Sequence, residues 1–156
     1  MRLFVALKIS DPSARIIEEW KRSQVKIHPE FRWTEQSQLH CTLRFLGDRE
    51  PSEVISAMKT LKLSELLPVE YTLFRSGSFR NLPSLFWLSG SFSPEVFSIV
   101  NRLNSIPDGQ SKTGKEGDFS PHITIARSPR GISCSAPLFN ERINEFSNTI
   151  HLINSR

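Results

Sequence analysis

Apolar and polar residues switch between two periods along this chain, and the switches mark its elements. Residues 2–9, Arg-Leu-Phe-Val-Ala-Leu-Lys-Ile, are an almost unbroken apolar run of strand length and predict a buried strand. Asp11 caps and Pro12 opens a helix in which Ile16, Ile17 and Trp20 recur at helical spacing. After loop residues leading to Phe31-Arg32-Trp33, a second strand is predicted over 39–46. Pro51 opens a second helix, with Val54, Ile55, Met58 and Leu61 on one face. Strands near 69–79 and 84–90 follow, joined by a turn at Arg80-Asn81-Leu82-Pro83. Ser93 and Pro94 open a third helix that turns Val96, Ile99, Val100, Leu103 and Ile106 inward. A polar loop over 107–121 leads to a strand over 121–127; residues 128–141 read as irregular and 145–153 as a last strand.

Within this pattern the motif His-x-Thr-apolar occurs twice, as His40-Cys41-Thr42-Leu43 and His122-Ile123-Thr124-Ile125. The offset of 82 between the histidines also lays Leu3-Phe4 on Leu85-Phe86, Pro12 on Pro94, Ile17 on Ile99 and Ser23 on Ser105. More telling than these identities is the order of elements: strand, proline-initiated helix, loop, His-x-Thr strand, twice over. The reading is one α+β domain over 1–156 made of two pseudo-symmetric lobes. Each lobe is a small antiparallel sheet with helices on its outer face, and the motif strands face each other across a central groove.

Side chains at i and i+2 of a strand share a face. His40 therefore shares a face with Thr42, and His122 with Thr124, while Cys41, Leu43, Phe45, Ile123 and Ile125 point to the core. A histidine titrates near neutrality, so two of them can hold opposite protonation states there. One can take a proton from a nucleophile while the other gives one to a leaving oxygen. The threonine hydroxyls can donate to non-bridging phosphate oxygens, where charge accumulates. This chemistry needs neither a metal nor a covalent nucleophile. A zinc site would need three or four ligands, and beyond the motifs only His28 and His151 remain, without ligand spacing. Cys41, on the face opposite His40, reads as a small core residue.

Bulk properties narrow the setting. The length of 156 residues suits one domain. The apolar stretch from Leu3 to Leu7 is too short to span a membrane, and Asp11-Pro12 follows too soon for a signal peptide. Two cysteines, Cys41 and Cys134, form neither a disulfide framework nor a metal pattern, which points to the cytoplasm. A net charge of +4 mildly favours an anionic partner such as nucleic acid.

The sequence resembles the two-histidine (2H) phosphoesterases, and most closely the bacterial and archaeal RNA 2′,3′-cyclic phosphodiesterases, also called 2′-5′ RNA ligases. The matching pieces are the opening Arg-Leu-Phe-Val-Ala-Leu, the stretch from Leu39 to Gly47 (Leu-His-Cys-Thr-Leu-Arg-Phe-Leu-Gly), Gly77-Ser-Phe79, Phe86-Trp87-Leu88, and the stretch from Phe119 to Arg127. The resemblance implies hydrolysis of RNA 2′,3′-cyclic phosphate ends to 2′-phosphomonoesters by a monomer without a cofactor. It implies His40 as proton donor, His122 as proton acceptor, Thr42 and Thr124 on the phosphate, and Arg127 as a positive contact. It also implies 2′-5′ joining of RNA halves by the same chemistry, and a further strand beyond the position of Ser155, without which a sheet edge is expected to be open or a lobe short. Strict alternation puts Arg127 on the core face, so it reaches the phosphate only if the strand ends or bulges near Ala126-Arg127. Arg44 falls on the His40 face and is a second arginine for the phosphate. Phe79 is the preferred aromatic for base stacking, Trp33 and Trp87 read as packing, and Lys112 and Lys115 sit in a loop able to close over RNA. Two other readings stand beside this one: the same site acting on a small cyclic nucleotide, an ADP-ribose cyclic phosphate or a 2′-5′ oligoadenylate, and an RNA-binding module without turnover.

Overall fold

In the computed structural model, which describes residues 2–107, 119–129 and 134–155, the apolar opening run becomes strand β1 (Arg2–Lys8). The chain continues through α1 (Asp11–Ile27), the short β2 (Arg32–Trp33), β3 (His40–Asp48), α2 (Pro51–Thr60) and the hairpin β4 (Val69–Phe79) and β5 (Leu82–Phe92). Then come α3 (Glu95–Leu103), β6 (Ile123–Arg127), β7 (Ile143–Ser147) and β8 (Ile150–Asn154). Ser10, rather than Asp11, caps α1: its hydroxyl accepts from the Ser13 amide at 3.1 Å, and Asp11 lies in the first turn.

The strands form one antiparallel path, β7-β4-β5-β6-β3-β1-β8, with β2 added beside β6. The repeat is visible in it. β1-α1-β3 and β5-α3-β6 are each a strand, a helix and an antiparallel neighbour of the first strand. The two halves meet edge to edge where the motif strands touch, through the single pair Cys41↔Ile123. Val54 of α2, and Val96, Ile99, Val100 and Leu103 of α3, bury against one side of the sheet together with Leu43, Cys41, Ile123 and Ile125.

The apolar run expected to be one strand over 145–153 is two strands on opposite edges of the sheet. β7 pairs with β4, and β8 pairs with β1. Only Asn148-Thr149 lies between them, so the two edges must approach each other at this corner. The contacts bear this out. The Lys8 amide donates to the Thr149 carbonyl at 2.9 Å, and the Ser147 hydroxyl donates to the Lys8 carbonyl. Beside them, Ser10 donates to Glu145 at 2.8 Å and Ser13 shares a hydrogen bond with the buried Tyr71 hydroxyl at 2.7 Å. These polar groups tie the first half to the second at the end of β1.

Three bulges in the motif strands reset side-chain direction. In β3, Leu43 is the extra residue between the pairs Ala6↔Thr42 and Val5↔Arg44, and Leu46 is the extra one between Phe4↔Phe45 and Leu3↔Gly47. Gly47, with φ 70°, closes the second irregularity in a backbone region that glycine occupies without strain. In β6, Ile125 is the extra residue between Trp87↔Thr124 and Phe86↔Ala126.

Candidate active site

His40 heads β3 and His122 immediately precedes β6, so the central sheet contact brings both motifs together. The register of Cys41↔Ile123 sets His40 across from Thr124 and Thr42 across from His122. The two rings are gripped in the same way. The Nδ1 atom of His40 lies 2.6 Å from the Gln38 carbonyl oxygen, and that of His122 lies 2.8 Å from the Ser120 carbonyl oxygen. A carbonyl can only accept, so Nδ1 carries the hydrogen in both rings and Nε2 is the atom left for chemistry. Gln38 and Ser120 are themselves related by the repeat offset of 82. Burial is the largest influence on His40 and lowers its pKa; the Gln38 carbonyl opposes this, and the charge of His122 reinforces it.

Rings surround both histidines. Phe4 packs on His40 at 5.1 Å between centroids, and Phe45 packs on Phe4 at 5.9 Å. On the other side, Phe79 meets His122 edge-on at 4.8 Å, and Trp87 lies 5.8 Å from Phe79. Gly77 makes room for Trp87, since a Cβ there would come within 2.7 Å of the indole. The Arg75 guanidinium sits 5.6 Å from the Trp87 ring centre. Trp87 thus stands beside the site residues through Phe79, while Trp33 packs against Trp20 and Phe31 as expected.

The bulges decide which arginine faces the histidines. At the β6 bulge, Ile125 and Ala126 both turn inward, which returns Arg127 to the face of His122 and Thr124, where it is exposed. Arg32 of β2 pairs directly across from Arg127 and is also exposed. The β3 bulge acts in the opposite sense. Arg44 pairs with Val5 and turns to the helix side, where its guanidinium donates to Asn104 Oδ1 at 2.9 Å and to the Ile106 carbonyl at 2.8 Å. Alternation had placed Arg44 beside His40; the extra residue Leu43 reverses that placement. Phe45, expected in the core, is turned outward for the same reason and is 72% exposed.

Thr42 and Thr124 are half-buried on the histidine face, and Cys41, Leu43, Ile123 and Ile125 are buried on the other, as alternation requires. Burial pushes the Cys41 thiol up to about 12, partly opposed by the His122 backbone, so it is held as an inert thiol. Among the described residues no group of three or more His, Cys, Asp or Glu side chains is placed to hold a metal ion, and no helix is long and apolar enough to cross a membrane. Lys112 and Lys115 of the expected closing loop lie outside the described residues. Arg32, Arg75 and Phe45 were missed from sequence. Arg32 carries a signal, the apolar-polar-apolar triplet Phe31-Arg32-Trp33; Phe45 carries none, because a bulge leaves no mark on alternation.

Known proteins share this fold. Residues 9–145 match the model of the 2′-5′ RNA ligase superfamily. A protein of Aquifex aeolicus named RNA 2′,3′-cyclic phosphodiesterase is 27% identical over 135 residues, covering 81% of this chain and 70% of its own. Among solved structures, E. coli LigT complexed with NADP+ superposes with a TM-score of 0.73 at 21% identity, over 97% of this chain and 85% of its own. The protein TT0787 of Thermus thermophilus superposes with a TM-score of 0.71 at 22% identity, over 100% and 89%. These structural likenesses establish the fold. With the family match covering most of its length, the chain belongs to the 2′-5′ RNA ligase superfamily.

Proposed function

We propose that this protein hydrolyses RNA 2′,3′-cyclic phosphate ends to 2′-phosphomonoesters by paired histidine acid–base catalysis. The observation that carries the proposal is the matched grip on His40 and His122, which frees the Nε2 atom of each ring on the same face of adjoining strands. His122 Nε2 accepts a proton from water as its oxygen attacks phosphorus. The bond from phosphorus to O3′ breaks, and His40 Nε2–H delivers a proton to O3′, leaving a 3′-hydroxyl and a 2′-phosphate. With a ribose 5′-hydroxyl in place of water, the same transfers make a 2′-5′ bond. Thr42, Thr124 and Arg127 hold the non-bridging oxygens. The proton donor must be charged, and burial works against that charge on His40. A bound phosphodiester carries the opposite sign and restores it.

The test uses an oligoribonucleotide ending in a 2′,3′-cyclic phosphate, incubated with the protein in EDTA. The expected product is the 2′-phosphate, with His40→Ala and His122→Ala each slower by about 10²–10⁴-fold. Retained binding without ring opening would leave an RNA-binding module instead. Faster turnover of a cyclic mononucleotide or a 2′-5′ oligoadenylate would move the same chemistry to another substrate.

A further inference from the structure

We infer that Arg32 is the second guanidinium of a phosphate clamp formed with Arg127, so that two arginines rather than one hold the RNA. This inference deepens the functional reading above and rests on it. Arg32 and Arg127 are paired directly across β2 and β6, and both residues are exposed. Among the described residues, neither guanidinium meets a carboxylate, a hydrogen-bond acceptor or a ring. Like charges set opposite each other on neighbouring strands destabilise the pair. An anion lodged between them turns that repulsion into two attractions.

The bulge in β6 positions both arginines. It returns Arg127 to the face of Thr124, and the carbonyl of its extra residue, Ile125, accepts from the Thr34 amide at 2.9 Å, which fixes β2 beside β6. β2 is only two residues long, and Trp33 anchors it from the other face. The Trp33 indole donates to the His28 carbonyl at 3.3 Å and packs on Trp20 and Phe31. Arg32 alternates with Trp33 and so points to the histidine face. On that face Thr124 stands across from His40, and the arginine pair is the next row, about 7 Å farther along β6. The planar forks of two guanidiniums match the oxygens of a phosphate. The phosphate in question is either the one that reacts or the diester next to it in the chain, and ligand length tells these apart.

Titration calorimetry compares adenosine 2′-phosphate, which carries only the product phosphate, with adenylyl-adenosine 2′-phosphate, which adds one diester. Arg32→Gln is expected to weaken dinucleotide binding about 10-fold, and Arg32→Lys, which keeps the charge but not the fork, to weaken it less. An equal loss on the mononucleotide assigns the clamp to the reacting phosphate, and a loss confined to the dinucleotide assigns it to the neighbouring diester. Unchanged affinity for both ligands in Arg32→Gln overturns the inference, as does failure of the unaltered protein to bind either. Urea unfolding of the unliganded protein at low salt separates a structural role. Arg32→Gln should be at least as stable as the unaltered protein, because it removes an opposed like charge, and a loss of stability overturns the inference. Neither measurement needs turnover, so an affinity loss in Arg32→Gln supports the clamp even in a protein that opens no ring.

Discussion

Gln38 and Ser120 grip their histidines through the same carbonyl two residues upstream, yet the ground beside each ring differs. The His122 side carries three exposed arginines: Arg127 on its own strand, Arg32 paired across from it, and Arg75 on the Trp87 ring, whereas the cation paired across from His40 is Lys8, 3.9 Å from Asp11. The His40 side has given its arginine away. Arg44 is spent on the end of α3, and rings occupy the space beside the histidine. Two halves built on one plan have therefore diverged in where their arginines point while keeping the orientation of the imidazoles. The divergence comes from where each motif strand bulges: at Leu43 in β3, which turns Arg44 away, and at Ile125 in β6, which brings Arg127 in. The geometry that both halves kept is the geometry the two proposed proton transfers need.

The contrast between the two arginines is the first place to break this comparison. Arg127→Ala is expected to lower kcat/KM by about 10–100-fold, the size of a lost charge-assisted contact to phosphate. Arg44→Ala should leave kcat/KM intact and instead lower stability by about 1–2 kcal/mol in urea unfolding, from the two bonds to the end of α3. Equal kinetic losses for the two would return Arg44 to the site.

A smaller effect tests whether the corner joining the halves is separate from the chemistry. Tyr71→Phe removes the hydroxyl that receives the Ser10 amide at 3.0 Å and pairs with Ser13. It should cost about 1–3 kcal/mol in the same unfolding measurement, with kcat unchanged.

The smallest effect concerns His40 itself. Its folded value lies below the ordinary 6.5, so between those two values the unfolded chain binds the additional proton. Its contribution to stability is therefore complete above 6.5 and is lost as pH falls toward the folded value. His40→Gln should flatten the decline of unfolding free energy below pH 6.5 relative to the unaltered protein, and an identical decline in both would remove His40 as its source.

Much of this was legible in the sequence because it depends on period and order. The proline-opened helices, the hairpin β4-β5 and the inward face of α3 follow from spacing alone. The doubled motif and its offset foretold the two related halves and the shared face of each His-Thr pair. What escaped were the places where the backbone departs from its period. One inserted residue at Leu43 exchanged the faces of Arg44 and Phe45. The kink at Asn148-Thr149 divided one apolar run between two edges of the sheet. Neither event changes composition or alternation enough to be seen without the pairing partner.

The central claim is that two histidines held alike take opposite proton-transfer roles. A cyclic substrate in which sulfur replaces O3′ tests it most directly, because a thiolate leaves without a proton. The account predicts that this substitution erases most of the kinetic deficit of His40→Ala and none of that of His122→Ala. Rescue of His122→Ala instead, or of neither variant, would contradict it.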